Sequence, residues 1–593
     1  MKQVDNLYKI RHSLAHLLAK AVTDLYPDSQ PTIGPPTENG FYYDFDFGDT
    51  EVSENDLKKI QKQMKKTLEN WKVFQPLSVS ANEARTIFAD NQYKLELIDT
   101  IESEGGDITI YYSGPEINDL SVDTLANVPK NGFYDLCRGG HVDSPASDID
   151  AKGFKLDTLA GAYWRGNQNN TQLTRIYGLA FETAEELESF LNQREEAKKR
   201  DHRKLGAQLG LFAFSDLVGK GLPMFLPKGN LVRHILTDYI TMKKKGLGYD
   251  FVHIPHIAKR ELYETSGHMG KYDAMMPVMV DEDGDEYVMK AMNCPHHFEL
   301  YNSEMHSYRD LPLRYAENTT VYRNEKSGEL HGLTRVKALT QDDTHHFVRH
   351  DQIASEIKMV LGLVKEVYDL FDFNNYKVEI SVRDSQAKDK YFGQDNVWTE
   401  TESILEESVK AWGAEYSIEE GEAAFYGPKI DIQVKDSLGR QWQLATVQLD
   451  FIQPENFDMT YISQDGSKER PAVLHVAIFG SIERFMGILI EHYAGKFPFW
   501  LSPEQVRILP IAESHLEYAQ SINDQLAHLG IRTSVDAGDS LGKRIRSAKT
   551  DLVPYFIVIG DDEANNQTVT LEGRDNSEKL SIDALLNKLQ DEN

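Results

Sequence analysis

The sequence predicts an α+β protein built of several domains. A chain of 593 residues exceeds what one hydrophobic core usually organises, so we expect about three or four domains. A charged stretch at 183–212 has the composition of a linker helix, and the chain after about 501 alternates short apolar strands with helices, as small α/β domains do. These features predict domains at 1–182, 213–500 and 501–593.

Composition excludes several classes of protein. Hydrophobic residues make up 40% and charged residues 27%, as in ordinary globular proteins. No stretch approaches the roughly 18–20 apolar residues that cross a bilayer, and the N-terminus does not have the pattern of a secretory signal. With only Cys137 and Cys294, a disulfide framework is excluded, which favours the cytoplasm. A net charge of -30 means that any RNA would be held by local basic patches.

The N-terminal region combines a predicted helix with two histidines. Apolar residues recur at helical spacing over residues 10–25, at Leu14, Leu17, Leu18, Ala21 and Leu25. His12 and His16 are one turn apart and nearly opposite that apolar face. Further on, Cys137 and His141 flank two glycines that permit a tight loop. These four residues could bind zinc tetrahedrally or position a water for hydrolysis, and the histidines could also simply be surface residues.

A second polar cluster is predicted within residues 320–347, where two strands would be joined by a loop containing Gly328 and Gly332. In the returning strand, alternation places the odd-numbered side chains on one face: Arg335, Leu339, Gln341, Asp343 and His345. A buried strand would not carry so many polar groups on one face without a polar ligand. The alternative is a solvent-facing edge strand.

Three distant residues have the chemistry of an open zinc site. Cys294 follows a hairpin predicted around Gly284, His345 lies on the polar strand face, and His475 lies in the predicted strand AVLHVAIFG. One sulfur and two nitrogens suit Zn²⁺, and three protein ligands leave room for a substrate. Arg484 occupies the first turn of a helix that follows Gly480, where a guanidinium can face a phosphate or stack on a base.

Together these segments resemble the class II aminoacyl-tRNA synthetases, specifically the threonyl-tRNA synthetase family, over nearly the whole chain. YDFVHIPHI resembles motif 1, Arg323-Asn324-Glu325 resembles motif 2, and Gly480 to Arg484 resembles motif 3. The segments MNCP, HGLTRVKALTQDD, AFYGPKI and QWQLATVQLDF carry the threonine-specific resemblance. The resemblance implies an N-terminal editing domain, a class II catalytic domain with an antiparallel sheet, and a C-terminal α/β anticodon-binding domain.

The resemblance also implies an activity. The family attaches L-threonine to tRNA(Thr) through threonyl-adenylate, using ATP with Mg²⁺ and one Zn²⁺ per subunit, and motif 1 implies a homodimer. By the same resemblance Arg323 would hold the α-phosphate and Glu325 would read the adenine amino group. Arg335 and Arg484 would bind the triphosphate tail and the adenine face, and His268 would help to deprotonate the ribose hydroxyl.

For the amino acid, the resemblance implies zinc ligation by Cys294, His345 and His475. The pocket would be completed by Met292, Gln341, Asp343, Tyr426, Thr446 and Gln448. A metal that binds a hydroxyl rejects valine but not serine, which lacks only a methyl group worth about 1–3 kcal/mol. A hydrolytic site for seryl-tRNA(Thr) is therefore expected, and the resemblance assigns it, without bound metal, to His12, His16, Tyr43, Lys94, Asp135, Cys137 and His141.

Some positions depart from the family pattern. Leu339 stands where an aromatic residue is common, Val476 replaces an arginine, and His296 replaces a glycine. In the last domain Arg574 aligns with a residue that reads an anticodon base, but Asn565 stands where an acidic residue is familiar. The ubiquitin-like domain that often precedes the editing domain is expected to be missing.

Two other functions are compatible with parts of the sequence. One is a trans-acting deacylase that uses only about the first 180 residues, and the other is a class II paralogue with an RNA-binding or regulatory role. The presence of Arg323, Arg484 and the predicted zinc ligands favours a synthetase over a deacylase, because a pure hydrolase needs none of them.

Overall fold

The structure, a computed structural model, describes residues 5–125, 127–436 and 439–593. The chain divides into two compact units between Glu195 and Glu196. Within the described residues, no helix combines the length and the apolar character that a membrane span requires.

The described residues of the first unit form eight strands and seven α-helices. Its strands are β1 Gln30–Pro31, β2 Pro36–Thr37, β3 Gly40–Asp46, β4 Val73–Val79, β5 Ile108–Gly114, β6 Phe133–Leu136, β7 Phe154–Tyr163 and β8 Gln172–Ala180. Its helices are α1 Asn6–Leu25, α2 Leu57–Leu68, α3 Ala81–Ile87, α4 Gln92–Ser103, α5 Val122–Leu125, α6 Pro145–Asp148 and α7 Ala184–Arg200, of which α7 contains the unit boundary.

Helix α1 is the centre of this first unit. One antiparallel sheet has the order β1-β3-β8-β7 with β2 beside β3, and the other has the order β4-β5-β6. The predicted helix is confirmed, but its opposite face is not exposed, because every side chain from Ser13 to Val22 is buried. The imidazole of His16 packs against the rings of Phe74 and Phe133, which belong to the second sheet. His16 is therefore a buried polar residue that points away from the leucine face.

The second unit begins with the predicted catalytic region. Its helices are α8 His202–Gln208, α9 Pro227–Gly246, α10 Arg260–Thr265, α11 His268–Lys271, α12 Cys294–Asn302, α13 Ile353–Leu370, α14 Asp395–Trp412, α15 Gln453–Asn456 and α16 Ile482–His492. Its strands are β9 Phe212–Ala213, β10 Met224–Phe225, β11 Asp250–Phe251, β12 Ile257–Lys259, β13 Met279–Val280, β14 Glu286–Met289, β15 His306–Ser307, β16 Leu313–Tyr322, β17 Ala338–Val348, β18 Tyr376–Val382, β19 Tyr416–Glu420, β20 Lys429–Lys435, β21 Gln441–Asp450, β22 Tyr461–Ile462, β23 Lys468–Glu469 and β24 Ala472–Ala477.

An eight-stranded sheet organises this region, in the order β11-β16-β17-β24-β21-β20-β18-β19. Its inner pairs are antiparallel, and only the two outermost pairs are parallel. Helices α13 and α16 cover one face with the largest apolar core. Strand β17 lies inside the sheet, so the structure excludes the alternative of an exposed edge strand. The predicted hairpin around Gly284 is confirmed as β13 and β14.

The C-terminal region has the α/β alternation that the sequence predicts. Its strands are β25 Val506–Pro510, β26 Thr533–Val535, β27 Tyr555–Ile559, β28 Thr568–Glu572 and β29 Ser577–Ser581. Its helices are α17 Leu516–His528, α18 Leu541–Thr550, α19 Asp561–Asn566 and α20 Ile582–Glu592. The strands form one sheet in the order β26-β25-β27-β28-β29, parallel around β25 and antiparallel beyond β27.

A buried ion pair fixes β17 from the face opposite the predicted polar ligand. Lys244 of α9 and Asp342 of β17 are 1% and 0% exposed, and Lys244 Nζ lies 3.0 Å from Asp342 Oδ2. The same carboxylate accepts hydrogen bonds from the backbone N–H groups of Ile478 and Phe479, both at 3.0 Å. Asp342 thereby joins three segments of the catalytic core, which the sequence pattern did not predict.

Replacing Lys244 by methionine should strongly destabilise the second unit. The substitution leaves the Asp342 carboxylate buried without its cation, a change that typically costs about 3–5 kcal/mol. The measurement is the free energy of unfolding from denaturant titration. The control is Lys243→Met, which removes an exposed ion pair with Glu366 and should cost less than about 1 kcal/mol. Equal stabilities of the two variants would contradict this role.

Candidate active site

A cavity of about 470 Å³ opens on the face of the eight-stranded sheet that carries the odd-numbered residues of β17. Its walls come from motifs that are far apart in the chain. Among the predicted residues, the cavity is lined by Met292, Cys294, Arg323, Glu325, Arg335, Leu339, Gln341, Asp343, His345, Tyr426, Thr446, Gln448, His475 and Arg484. The structure therefore brings these side chains together around one cavity, whereas His268 does not line it.

The three candidate zinc ligands converge at one end of this cavity. His345 and His475 are direct cross-strand partners in the antiparallel pair β17–β24, a position in which side chains on one face touch. His345 Nε2 lies 3.0 Å from His475 Nδ1. Cys294 begins α12, and the donor atoms of all three residues lie within 4.8 Å of one another. One sulfur and two imidazole nitrogens at this spacing fit Zn²⁺ with open coordination positions.

The electrostatics of the triad also fit a divalent cation. Burial raises the pKa of the Cys294 thiol well above its usual value, with Asp343 and Asp450 adding to the effect. Burial likewise lowers the pKa of His345 far below its usual value, so that imidazole is neutral. Neutral imidazoles are the form that ligates metal, and a cation would stabilise the thiolate that this buried site otherwise disfavours.

Two residues that the sequence analysis missed contact the outer nitrogens of the histidines. Asp450, at the end of β21, places Oδ2 3.0 Å from His475 Nε2. His297 in α12 places Nδ1 2.8 Å from His345 Nδ1. The sequence held a partial signal, since His297 lies three residues after Cys294 and Asp450 two residues after Gln448, both of which are predicted pocket residues.

Polar groups surround the open side of the triad. Asp343 Oδ2 accepts a hydrogen bond of 2.9 Å from Asn293 Nδ2. Tyr426 is buried, which raises the pKa of its phenol well above the usual value and keeps it a hydrogen-bond donor. Thr446 Oγ1 donates to Asp431 Oδ1 at 2.8 Å. The arrangement offers hydrogen bonds of both polarities to a small amino acid.

Arginines make part of the cavity electropositive. Arg323 Nε is buried without a hydrogen-bond partner, and Arg484 Nε donates to the Thr334 carbonyl at 3.0 Å. The pKa of Arg484 is lowered, first by burial and then by Arg323 and Arg335. Partly exposed guanidinium groups that repel one another indicate an anionic ligand such as a phosphate chain.

Arg335 is one correction to the strand prediction. It precedes β17 and lies in a turn bridged to His331, rather than in the strand itself. Its guanidinium nevertheless lines the cavity, where Nη2 donates to Glu325 Oε2 and to Glu329 Oε2, both at 2.8 Å. The turn rather than strand alternation brings Arg335 to this face.

His268 lies near the cavity without lining it. Its ring centroid is 5.9 Å from that of Tyr426, and its Nδ1 is 2.7 Å from Ser266 Oγ. Burial, followed by the positive fields of His475 and Arg323, lowers its pKa to about 4. The imidazole is therefore neutral. Its Nε2 is buried without a partner and can accept a proton.

Of the residues that depart from the family pattern, Leu339 and Val476 line the cavity. Leu339 packs with Val321 and Val336. His296 is buried beside Tyr263, with neither ring nitrogen hydrogen-bonded. Leu339 supplies apolar area but no aromatic face to a base.

The N-terminal quartet converges in the first unit. Donor atoms of His12, His16, Cys137 and His141 lie within 4.8 Å of one another. Cys137 Sγ is 3.1 Å from His141 Nε2 and 3.5 Å from His12 Nε2. The loop that closes the cluster depends on two glycines with φ of +88° and +89°, Gly139 and Gly140, a conformation that side-chain-bearing residues rarely adopt.

Three further predicted residues form a buried network close to the quartet. Tyr43 Oη donates to Asp135 Oδ2 at 2.5 Å, Lys94 Nζ pairs with the same carboxylate, and Lys94 Nζ lies 3.2 Å from Tyr43 Oη. Asp135 lies in β6, and Cys137 follows directly after that strand. Lys94 and Asp135 also line a second cavity of about 400 Å³.

Burial keeps the quartet uncharged. It lowers the pKa of His12 and lowers that of His16 well below its usual value. It also lowers the pKa of His141, with help from His16 and His12. It raises the pKa of the Cys137 thiol to about 12. Neutral imidazoles can accept a proton from water, while a thiol with this pKa is a poor nucleophile.

Arg574, the predicted anticodon-reading residue, is engaged with the protein itself. Its Nη1 donates to the carbonyls of Lys496 and Phe497, at 3.1 and 3.0 Å, and its Nη2 to that of Leu552 at 3.0 Å. Base reading by Arg574 stays a prediction, and without a rearrangement of the guanidinium it would use Nε or the second N–H of Nη2.

Comparison with known proteins identifies the relatives of both regions of the second unit. Residues 275–493 match the tRNA synthetase class II core domain (G, H, P, S and T), and residues 505–592 match an anticodon binding domain. A threonine–tRNA ligase of Gloeobacter violaceus is 47% identical over 584 residues, which are 97% of this chain and 90% of the relative. One of Synechococcus elongatus is 45% identical over 577 residues, 96% and 92% of the two chains.

A solved structure is also similar. The RNA binding domain of threonyl-tRNA synthetase from Cryptosporidium parvum is 36% identical, with a TM-score of 0.63, and the match covers 66% of this chain and 98% of that one.

Proposed function

This chain belongs to the threonyl-tRNA synthetase family of class II enzymes, and we propose that its large cavity activates threonine beside a zinc ion while its N-terminal quartet hydrolyses seryl-tRNA(Thr). The chain is a threonine–tRNA ligase with an α+β class II core and an anticodon-binding domain. Its substrates are ATP, L-threonine and tRNA(Thr). The residue roles and the bound ion are the proposed part.

The convergence of Cys294, His345 and His475 carries the proposal. Zinc, when bound there, would supply a Lewis acid with positions open to an amine and a hydroxyl. Around it, Asp343, Gln448 and Tyr426 line the cavity and would orient the amino acid by hydrogen bonds. A site that must bind a hydroxyl rejects valine strongly, because the groups that await the hydroxyl would stay unpaired.

Arg323 and Arg484 would hold the phosphates of ATP, which enters with Mg²⁺. The threonine carboxylate oxygen attacks the α-phosphorus, and the bond to the pyrophosphate oxygen breaks. Fixed guanidinium groups stabilise the negative charge that develops on the transferring group. Glu325 would accept a hydrogen bond from the adenine amino group, and Arg335 would leave Glu325 and Glu329 to bind the triphosphate tail.

His268 would assist transfer to tRNA. Its neutral imidazole has a pKa of about 4, set mainly by burial, and its Nδ1 is fixed by Ser266. The unpartnered Nε2 could take the proton of the ribose hydroxyl as that oxygen attacks the threonyl carbonyl and the bond to the phosphate breaks. In this role His268 would act as a general base on an ester bound in the neighbouring cavity.

The quartet would hydrolyse the seryl-tRNA(Thr) that forms because the catalytic cavity does not fully exclude serine. Serine has the same amine and hydroxyl groups as threonine and lacks only one methyl group. The two substrates therefore differ in binding free energy by only about 1–3 kcal/mol. In the editing reaction water attacks the seryl carbonyl, the ester C–O bond breaks and the ribose oxygen takes a proton. Neutral His12, His16 and His141 would orient the water, while the Lys94–Asp135–Tyr43 network would bind the aminoacyl group.

We infer that editing needs no metal, so that the enzyme holds one zinc per subunit. Metal-ligating histidines almost always hydrogen-bond their second nitrogen to an orienting group. His475 has Asp450 in that position, whereas His16 Nδ1 is buried without a partner. His141 does have such a group, Ser13 Oγ at 3.5 Å from its Nδ1, so it is the missing partner of His16 that favours a water-positioning role.

The remaining proposals concern assembly and location. We infer an editing domain at 1–182, a linker at 183–212, a catalytic domain at 213–500 and an anticodon-binding domain from 501. Large apolar residues are exposed along the segment that ends in motif 1, at Phe214, Leu217, Val218, Met224, Leu226, Met242 and Ile257. Exposed apolar residues of this kind favour a homodimer, and the two free cysteines favour the cytoplasm.

The substrate assignment predicts the pattern of ATP–pyrophosphate exchange. The zinc-replete chain should exchange rapidly with threonine, about 10- to 200-fold less efficiently with serine, and hardly at all with valine. Metal analysis on the same sample should give one zinc per chain. No threonine-dependent exchange by a zinc-loaded sample would overturn the assignment and would favour a deacylase or a non-catalytic paralogue.

Two substitutions should separate the two sites. Cys294→Ser should abolish threonylation yet still deacylate seryl-tRNA(Thr), because the quartet lies in the other unit. His16→Ala should do the reverse: threonylation continues and seryl-tRNA(Thr) accumulates. The activity that each variant keeps shows that the variant is folded. Loss of both activities in either variant would contradict separate sites.

A further inference from the structure

We propose that Asp450 and His297 are positioning residues that select the metal-binding tautomers of His475 and His345. The inference rests on the zinc site of the proposed function and extends it to the groups behind the ligands. Neither residue lines the cavity, so neither would touch substrate.

Asp450 is held rigidly and presents one oxygen to the ligand. Its side chain is fully buried, and Oδ1 accepts hydrogen bonds from the backbone N–H groups of Ile452 at 2.7 Å and Gln453 at 3.0 Å. Oδ2 is left to face His475 Nε2 at 3.0 Å. A carboxylate only accepts hydrogen bonds, so Nε2 carries the proton and Nδ1 keeps its lone pair toward the triad.

The charge of Asp450 matters as well as its geometry. A thiolate and two neutral imidazoles leave one positive charge on a dication. In a buried site that charge is costly unless a counter-charge lies close. Asp450 supplies it through His475, in the carboxylate–histidine–metal arrangement that raises the basicity of a ligand.

The nearly isosteric change Asp450→Asn should select the wrong tautomer. The two backbone N–H groups require an acceptor, so they hold the amide oxygen in the place of Oδ1. The NH₂ group then faces His475 Nε2 and donates to it, which moves the ring proton to Nδ1. That nitrogen can no longer bind a metal, although the volume of the side chain is unchanged.

His297 acts on the second ligand by the same logic. Its Nδ1 lies 2.8 Å from His345 Nδ1, so one of these nitrogens donates and the other accepts. With His345 Nε2 directed into the triad, His345 Nδ1 must be the donor and His297 Nδ1 the acceptor. The remaining proton of His297 then sits on Nε2, which is buried and has no hydrogen-bond partner.

The chain offers a matched control on the opposite face of the same strand. His346 follows His345 in β17, and its Nδ1 lies 3.1 Å from Glu356 Oε2. Glu356 is also buried and pairs with Arg314. Glu356→Gln therefore disturbs a buried histidine–carboxylate pair that faces away from the triad.

The test is zinc affinity, measured by competition with a chromophoric chelator on full-length apo-protein. Asp450→Asn and His297→Phe should weaken zinc binding about 10- to 100-fold. His297→Asn, which keeps an acceptor near the position of Nδ1, and Glu356→Gln should stay close to the wild type. ATP binding, which the proposed function assigns to Arg323 and Arg484 rather than to the triad, should be unchanged in every variant and reports that each is folded.

The outcomes separate this inference from the proposed function. If the wild type binds no zinc, the proposed site itself fails. If the wild type binds zinc tightly and Asp450→Asn binds it equally well, the positioning role of Asp450 is overturned. If Asp450→Asn does not fold, the two His297 variants decide the question. Weaker zinc binding by His297→Phe than by His297→Asn supports the inference, and equal binding contradicts it.

Discussion

The register between β17 and β24 is the constraint on which the amino-acid site depends. It sets His345 opposite His475 and, through alternation, sends Gln341 and Asp343 to the same face. A slip of one residue would turn each of these side chains into the core on the other face. Asp342 opposes such a slip, because its buried carboxylate binds Lys244 and two backbone N–H groups. The ion pair that fixes the strand is therefore also what keeps two of the candidate ligands together.

The two proposed catalytic centres use similar side chains in different surroundings. Each centre contains one cysteine, which is buried in the case of Cys294 and half-buried in the case of Cys137. In each centre burial lowers the pKa values of histidines. In the class II cavity, a carboxylate and a third histidine stand behind the ligands. In the N-terminal quartet, Cys137 contacts two imidazoles directly and His16 Nδ1 has no partner. The two clusters therefore differ in the groups behind their histidines, which are Asp450 and His297 in one and Ser13 beside His141 in the other.

Much of this arrangement could be predicted from the sequence, and particular residues show where prediction stopped. Alternation correctly placed Leu339, Gln341, Asp343 and His345 on one face, but Arg335 reaches the cavity from a turn that alternation does not describe. Periodicity identified helix α1, yet it could not reveal that a second sheet would cover His16. The roles of Lys244, His297 and Asp450 could not be predicted, because tertiary packing sets the partners of these residues. A single buried polar residue produces no periodic pattern in the sequence.

The central claim is that Cys294, His345 and His475 share one zinc ion that recognises threonine. X-ray absorption at the zinc edge, recorded on the purified chain alone and with threonine or valine, tests it most directly. The account predicts a first shell of one sulfur and two imidazole nitrogens, with light-atom ligands that change on adding threonine and do not change with valine. A shell without sulfur, or a spectrum that threonine leaves unaltered, would contradict it.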